Sequence, residues 1–95
     1  IEVTLSGAET LVAALARGVD AGDPAAAARA PGTKVLGTRA AIGAVEQAVA
    51  LVGNPGLSRA NDLERHHRDV LCSRVHSPQD DTVLDAAGAA ALEPA

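Results

Sequence analysis

The sequence predicts an all-α fold, an antiparallel bundle of about four helices. Apolar residues recur at steps of three and four positions along two long stretches, which is the period of an amphipathic helix. Glycine, proline and capping residues divide the chain into four helical segments joined by short links, as in a helical bundle. No stretch shows the alternation of two that a half-buried strand requires, so we expect no strand.

The first helix is predicted over residues 1–19, which carry one apolar stripe at helical spacing. Gly18 and then the Gly-Asp-Pro sequence of residues 22–24 end it. Residues 20–32 are predicted to be a connector. An alanine run in this connector can add one helical turn before Pro31 and the following glycine end it.

The second helix is predicted over residues 33–52, where the apolar steps alternate between three and four without a break. β-branched residues are mediocre helix formers, but this period excludes a strand. Gly53 is a natural helix stop, with Pro55 just beyond it. Gly37 and Gly43 weaken the helix and suggest that another helix approaches closely. The stripe consists of Val35, Thr38, Ile42, Val45, Val49 and Val52.

Two capping signals mark the remaining helices. Asn61, with a glutamate three residues later, has the capping-box pattern and predicts a third helix that runs to about residue 75. Ser77 followed by a proline predicts an N-cap and a first helical residue for a fourth helix, which runs to about residue 92. The residues predicted to face inward in the fourth helix are Val83, Leu84, Ala87 and Ala91.

The composition predicts a small core. The chain has 95 residues and no Phe, Tyr, Trp or Met, so the core must consist of Leu, Val, Ile and Ala. Aromatic residues usually supply the largest buried areas, and a chain this short buries a limited surface. We therefore expect a single domain over residues 1–95 that needs a partner, either more of its own polypeptide or further copies. Because the chain starts with Ile1 inside a predicted helix, we interpret it as a fragment of a longer protein.

Charge and hydropathy argue against two classes of partner. A formal net charge of -4 argues against nucleic acid, since phosphate binding needs a basic face. No uninterrupted apolar run approaches the ~18 to 20 residues of a membrane span, so we expect no membrane partner. The single cysteine excludes an internal disulfide framework and predicts a reducing, cytoplasmic location.

Few side chains outside the turns suggest chemistry. His66 and His67 are adjacent, point about 100° apart on a helix and lack the partner at i+4 of a zinc site, so we expect no metal site. Cys72 is interpreted as a small buried hydrophobe rather than a nucleophile. The charged run of residues 64–69 fits two interpretations equally well. It is either a solvated helix face with local ion pairs, or a partly buried face whose charges need partners.

Residues 53–84 taken together resemble the C-terminal helical domain of the acyl-CoA dehydrogenase superfamily. That family carries a Gly-Gly-x-Gly turn, a helix with the pattern Glu-Arg-x-x-Arg-Asp, and a Tyr-Glu-Gly-Thr segment that opens the last helix. Here the turn is Gly-Asn-Pro-Gly at residues 53–56, the helix motif is Leu-Glu-Arg-His-His-Arg-Asp at residues 63–69, and the last segment is His-Ser-Pro-Gln at residues 76–79. The resemblance implies the C-terminal domain of a flavoenzyme that binds FAD or FMN.

The last segment departs from the dehydrogenase pattern. In the dehydrogenases a glutamate there removes the α-proton of the acyl-CoA, although some branches supply this base from another helix. The matching position here is Ser77, and a hydroxyl is no general base near neutral pH without its own activator. A neighbouring branch consists of flavin-dependent monooxygenases, some of which place a histidine here beside the flavin. His76 occupies a comparable position, where an imidazole can hydrogen-bond or shuttle a proton. The resemblance thus favours monooxygenase-like chemistry, with His76 as the catalytic candidate.

The glycine-rich turn of the family contacts the cofactor of a neighbouring subunit. Carried over, Gly53 and Gly56 would approach a flavin phosphate across an interface, and backbone N–H groups near such a turn can bind a phosphate. Asn54 replaces the second glycine and would supply a side-chain hydrogen bond. The resemblance implies a homo-oligomer, a tetramer or a dimer, and for a monooxygenase a flavin reductase as partner. Other domains supply most of the site, so we expect no turnover by this chain alone.

A non-catalytic helical interaction module is the alternative, in which residues 53–56 are only a turn. Most Gly/Pro turns have no further role, so the turn by itself does not decide between the two. Flavin binding by the complete protein does, because the module would bind flavin in neither redox state.

Overall fold

The computed structural model describes residues 1–94; Ala95, the last residue of the predicted 1–95 domain, lies outside that range. The four α-helices are α1 (Glu2–Asp20), α2 (Pro24–Val52), α3 (Asp62–Leu71) and α4 (Asp80–Leu92), with short 3₁₀ turns at Asn54–Leu57 and Cys72–Arg74. The described residues are 83% helical and contain no strand, which confirms the predicted all-α fold. Helix α1 matches its predicted position. Helix α3 begins where predicted but ends earlier.

Helices α1 and α2 form an antiparallel hairpin joined by three residues. Asp23 caps α2, since its Oδ1 accepts a hydrogen bond of 3.0 Å from the N–H of Ala25, and Pro24 takes the first helical position. The two helices approach closely where Gly18 faces Ala26. A Cβ placed on Gly18 would lie 2.6 Å from the Cβ of Ala26, so the absence of a side chain sets the helix separation at this end.

Helix α2 is longer than predicted. The connector predicted over residues 20–32 is helical from Pro24 onward, and the helix continues through Pro31 instead of starting at Thr33. A proline removes one helical hydrogen bond and crowds the preceding turn, which is why the sequence indicated a stop. The alanine-rich turns on both sides favour helix, and packing buries Ala26 and Thr33 in this part of the chain. Tertiary packing therefore outweighs the local penalty.

The core lies on two opposite faces of α2, because at 100° per residue Ala26, Thr33 and Ala44 share one face and Val35 and Ile42 the other. Helices α1, α3 and α4 all contact α2, which is about 43 Å long from its 29 residues at the usual rise. The buried residues of α2 are Ala26, Thr33, Val35, Ile42 and Ala44. Helix α4 adds Val83 to this core. No residue of α1 or α3 is fully buried, so α2 is the element that holds the other three together.

By length and composition alone, α2 could cross a membrane. Its most apolar window of 18 residues has a mean hydropathy of 1.4, and 17% of that window is buried. The sequence contains no uninterrupted apolar run of this length, but a window that tolerates two charges does pass. A helix in the core of a protein passes the same test, and α2 is the helix on which the others pack. The expectation of no membrane partner stays a prediction.

Asn61 caps α3 as predicted, because its Oδ1 accepts a hydrogen bond of 2.9 Å from the N–H of Leu63. The helix ends at Leu71 rather than near residue 75, and the chain continues as the 3₁₀ turn Cys72–Arg74. This tighter turn rotates the residues after Leu71 off the face on which the helical period placed them.

The start of α4 differs from the prediction. Gln79 is the N-cap residue and the helix begins at Asp80, so Ser77 is not a cap and Pro78 is not the first helical residue. The carbonyl oxygens of His76 and Pro78 bind a side chain of α2 instead, which keeps this segment outside α4. The carbonyl of Gln79 accepts the first helical hydrogen bond, from Val83.

Only part of the predicted inward face of α4 is buried. Val83 lies in the core, but Leu84 is 45% exposed, and Ala87 and Ala91 are exposed as well. Within the described chain, α4 packs mainly on α2, and every residue of α4 after Val83 is exposed. The period placed these residues on one face correctly; what it cannot say is whether a second element covers that face.

The molecule is elongated. Its extents are 52 × 26 × 19 Å and its radius of gyration is 16.0 Å, against about 12 Å for a compact domain of this length. Its accessible surface is 6636 Å², compared with roughly 5,000 Å² for a folded monomer of this mass. Large apolar side chains account for part of the excess, among them Val3, Leu36, Leu51, Leu57 and Leu92. The uncovered surface agrees with the expectation that the chain needs a partner.

Candidate functional site

The two glycines of the 53–56 turn are engaged within the chain. Gly53 ends α2 with φ of 76°, and its N–H donates a hydrogen bond of 2.9 Å to the carbonyl of Val49. The N–H of Gly56 donates a hydrogen bond of 2.9 Å to the carbonyl of Gly53. Gly56 is buried, and a Cβ there would lie 3.5 Å from atoms of both Val49 and Leu63. Neither glycine therefore has a free backbone donor to offer an anion.

Asn54 is the residue of this turn whose hydrogen-bond donors have no partner among residues 1–94. It is exposed, and neither its backbone N–H nor its side chain forms a hydrogen bond among residues 1–94. Next to it, Gly53 faces open space. Five residues further along, Arg59 is exposed and forms no ion pair with any residue that the structure describes. A side-chain amide, a backbone N–H and a nearby guanidinium suit a phosphate, since such donors bind phosphate oxygens well.

His76 lies just after the 3₁₀ turn that follows α3. Its backbone N–H donates a hydrogen bond of 3.2 Å to the carbonyl of Cys72, and the residue is exposed. Its imidazole makes no hydrogen bond in the part of the chain described here, so both ring nitrogens are open to a ligand or a neighbouring subunit. The hydroxyl of Ser77 is likewise exposed and without a hydrogen-bonding base among residues 1–94, so nothing in this chain activates it as a base.

Lys34 is the residue of this region that the sequence analysis missed. Its Nζ donates to the carbonyl oxygens of His76 at 2.5 Å, of Pro78 at 2.7 Å and of Ser73 at 3.4 Å. It is the only lysine of the chain, and it stands beside Val35 of the apolar stripe. This position is the one feature of the sequence that could have pointed to Lys34, because a lysine there extends toward the element that packs on the stripe. The sequence does not reveal partners some forty residues away.

A cleft of about 480 Å³ lies between α2 and the start of α4. Arg39 of α2 pairs with Asp80 at 3.6 Å between Nε and Oδ2, whereas the Oδ1 of Asp80 is buried without a hydrogen-bond partner within the described chain. Arg74 reaches Glu46 of α2 at 3.8 Å. These two pairs and the Lys34 hydrogen bonds all connect residues 73–80 to α2.

The charged run of α3 is mostly solvated. Arg65 pairs with Asp62 at 3.7 Å and Arg68 with Glu64 at 3.4 Å, and both pairs join neighbouring turns of the same helix. Such exposed pairs contribute a few tenths of a kcal/mol each. Glu64 and His67 are the exceptions, because both residues are half-buried, and only 22% of the Glu64 side chain is exposed. Of the two interpretations left open, the solvated face with local ion pairs describes most of this run.

Cys72 is exposed, so the prediction of a buried side chain was wrong. The prediction assumed that α3 continues past this residue, but the helix ends at Leu71 and the 3₁₀ turn redirects the side chain. Residues 1–94 contain no group of three or more His, Cys, Asp or Glu side chains with the geometry to hold a metal ion. The absence of a metal site remains a prediction.

A family model described as "Acyl-CoA dehydrogenase, C-terminal domain" matches residues 1–89. The chain belongs to this family. The match takes in α1 and α2, where the sequence analysis found no specific motif. "Putative acyl-CoA dehydrogenase YdbM" of Bacillus subtilis (strain 168) is 38% identical over 60 residues, which are 63% of this chain and 16% of that protein. The chain thus aligns with well under two thirds of this relative's length. No solved structure matches significantly.

In this acyl-CoA dehydrogenase C-terminal domain, the two candidate regions lie at opposite ends of α3. The 53–56 turn precedes the helix, and His76 follows the 3₁₀ turn at its other end. Ten α-helical and three 3₁₀ residues separate them by about 20 Å along the axis. The structure therefore does not bring Gly53, Asn54 and Gly56 together with His76. Their roles as cofactor-binding and catalytic residues remain predictions.

Proposed function

We propose that this chain is the C-terminal helical domain of a flavin-dependent oxidoreductase, in which it builds the oligomer and forms one wall of the flavin pocket. Membership of the acyl-CoA dehydrogenase family implies an oxidoreductase that carries FAD in its complete form and is typically oligomeric. The uncovered apolar surface supports a role in assembly, since a folded monomer rarely leaves this much of it in water. The domain alone completes no active site, and we propose a cytoplasmic location.

The chemical proposal rests on the combination of Ser77, in place of a glutamate, and the neighbouring His76. At the position where the family's dehydrogenases have a glutamate stands an exposed hydroxyl with no base in hydrogen-bond reach among residues 1–94. The nearest carboxylate along the chain, Asp80, is paired with Arg39. The imidazole of His76, which makes no hydrogen bond among residues 1–94, is the side chain of this segment whose nitrogens can donate and accept hydrogen bonds to a reacting group. These features support monooxygenase-like rather than dehydrogenase chemistry, with a flavin reductase as a further partner.

The residues present fit a flavin in two separate places. Asn54 would hold a phosphate with its side-chain amide and backbone N–H, while Gly53 keeps the approach to it open and Gly56 packs the turn onto α3. His76 would lie at the other end of α3. Because about 20 Å separates them, we propose that the turn and His76 serve flavins of different subunits. The bound flavin, FAD or FMN, supplies the redox chemistry, and His76 holds or passes a proton at an imidazole nitrogen.

The test uses the complete protein. Titration with FAD and with FMN, followed by absorbance in both redox states, is expected to show binding of one of them. His76→Ala should then slow the reaction of the reduced flavoprotein with oxygen by about 10²-fold, the usual size of a lost proton-transfer group. His66→Ala is the matched control, because His66 is an exposed histidine on α3. Flavin binding in neither redox state would instead favour the interaction module. An unchanged oxygen reaction in His76→Ala, with flavin bound, would remove the catalytic assignment.

The phosphate assignment has its own test. Asn54→Asp places a carboxylate where we propose a phosphate, and like charges in contact repel. We expect weaker FAD binding by about tenfold, with a greater loss at low salt because salt screens the repulsion. Gln47→Glu adds the same charge at another exposed position and should leave binding unchanged. Equal affinities for the two variants would mean that no phosphate lies against Asn54.

A further inference from the structure

The ammonium group of Lys34 lies among three backbone carbonyl oxygens of the segment that carries His76. The oxygens belong to Ser73, His76 and Pro78, and the last two are within 2.7 Å of Nζ. An ammonium group has three donors and no acceptor, so three carbonyls match its hydrogen-bonding capacity. Hydrogen bonds from a charged donor are roughly twice as strong as neutral ones.

The segment has few other contacts that fix it. Residues 75–79 are all exposed. Besides the Lys34 contacts, the N–H groups of Val75 and His76 donate to the carbonyl of Cys72, the carbonyl of Gln79 accepts from Val83, and the ion pairs of Arg74 and Asp80 flank the segment. The segment also follows the end of a 3₁₀ turn, where unsatisfied carbonyls carry partial negative charge and favour a cation. Lys34 supplies that cation from a different helix.

The charge of Lys34 has no competing partner in the described chain. None of the four ion pairs there includes it, and the residue is half-buried. A partly buried charge needs compensation, and the three carbonyls are what the structure offers. The ammonium group therefore needs hydrogen-bond acceptors, the carbonyls of the segment need donors, and the contact satisfies both.

We infer that Lys34 is a positioning residue. Its ammonium group fixes the backbone of residues 73–78 and thereby holds the imidazole of His76 in the orientation that the flavin reaction requires. This inference rests on the proposed function for its catalytic part. Its structural part, the anchoring of the segment by Lys34, can be tested by itself.

Hydrogen exchange in the complete protein tests the anchoring. Lys34→Met keeps the length of the side chain and removes the ammonium group. We expect the amides of Val75 and His76 to exchange about tenfold faster in this variant, because the carbonyls around them lose their charged donor. Lys34→Arg should restore part of the protection. Arg29→Met removes a cation from an exposed position of α2 and should change nothing at these amides. Equal protection in Lys34→Met and the natural protein would overturn the inference.

A double-mutant cycle separates positioning from general stability. Lys34→Met should slow the reaction of the reduced flavoprotein with oxygen in the natural background and have no further effect in a His76→Ala background, because it acts through His76. Rate losses that multiply in the double variant would contradict the positioning role. If His76→Ala itself leaves the rate unchanged, the proposed function fails at His76, while faster exchange in Lys34→Met still supports the anchoring.

Discussion

Gly53 and Gly56 look alike in the sequence but differ in the structure. Gly53 has φ of 76° and open space around it, so its conformation is what excludes other residues. Gly56 has no positive φ and is buried, with its N–H used inside the turn. Its surroundings leave ordinary van der Waals room for a Cβ, since the nearest atoms lie 3.5 Å away. The family motif places both glycines together, and only the backbone geometry separates their roles.

The substitution Gly53→Ala is therefore expected to destabilise the protein by about 1–3 kcal/mol, because φ of 76° with ψ of -148° is a backbone conformation that essentially only glycine adopts. Thermal unfolding of the complete protein, followed by circular dichroism, measures it. Gly56→Ala should change stability far less. Gly43→Ala, in the middle of α2 with no atom near its Cβ, should stabilise by up to ~1 kcal/mol because alanine favours a helix. Equal losses at Gly53 and Gly56 would contradict this account.

At the level of elements, α1 and α2 depend on a close approach near their connection. Gly18 and Ala26 face each other there, and no room remains for one additional carbon. The sequence showed Gly18 as a helix breaker near the end of α1, which agrees with the boundary but misses its packing role. A single sequence does not distinguish a glycine that ends a helix from a glycine that allows another helix to pack closely.

Gly18→Ala should push α1 away from α2 and destabilise the protein by about 1–3 kcal/mol, as overpacking does. Gly7→Ala is the matched control, because Gly7 lies on the same helix with no atom within 4 Å of its Cβ. It should be neutral or stabilising, since alanine is the better helix former. Denaturant unfolding of both variants measures the difference, and a Gly18→Ala protein as stable as Gly7→Ala would show that the hairpin adjusts freely.

Pro31 also acts at the level of elements, because it lies inside α2 and leaves one turn without its hydrogen bond. Pro31→Ala should stabilise α2 by up to ~3 kcal/mol, the difference between proline and alanine in a helix interior. The midpoint of thermal unfolding should rise accordingly. Gly32→Ala, one residue on and with open space around its Cβ, should stabilise by ~1 kcal/mol or less. A lower midpoint in Pro31→Ala would mean that the proline shapes α2 for a partner.

For the whole molecule, the decisive property is its open apolar surface. A groove of about 650 Å³ runs between α2 and α4, and it contains Leu36 and Leu84, which are 59% and 45% exposed. Helix α1 contributes only Leu11 to the described lining of this groove. We expect other parts of the complete protein, in the same or another subunit, to cover this groove, in line with the role in assembly that we propose.

Leu36→Glu is expected to shift the complete protein toward smaller assemblies, because a carboxylate in an apolar interface is costly to bury. Light scattering after size-exclusion chromatography measures the mass of the assembly. The helix content should stay the same, since Leu36 is largely exposed within its own chain. Gln47→Glu adds the same charge on α2 outside this groove and should leave the mass unchanged. Intact assembly in Leu36→Glu would place the subunit contacts elsewhere.

Sequence alone was enough to predict the helical class, the end of α2 at Gly53, the cap at Asn61 and the family of the chain. Each depends on residues within a few positions of one another, where helical period, capping and motif spacing act. The candidate residues His76 and Asn54 also came from the sequence, through the spacing of the family motif. Their separation along α3 followed only from the folded chain.

The tertiary structure decided what local rules could not. Helix α2 extends through Pro31 because packing along α1 outweighs the local penalty, and Cys72 is exposed because α3 ends early. Ser77 does not cap α4 as predicted. The carbonyls of the residues on either side of it bind Lys34, some forty residues earlier in the chain. Contacts across that distance depend on how the helices pack together, and periodicity within one segment carries no record of them.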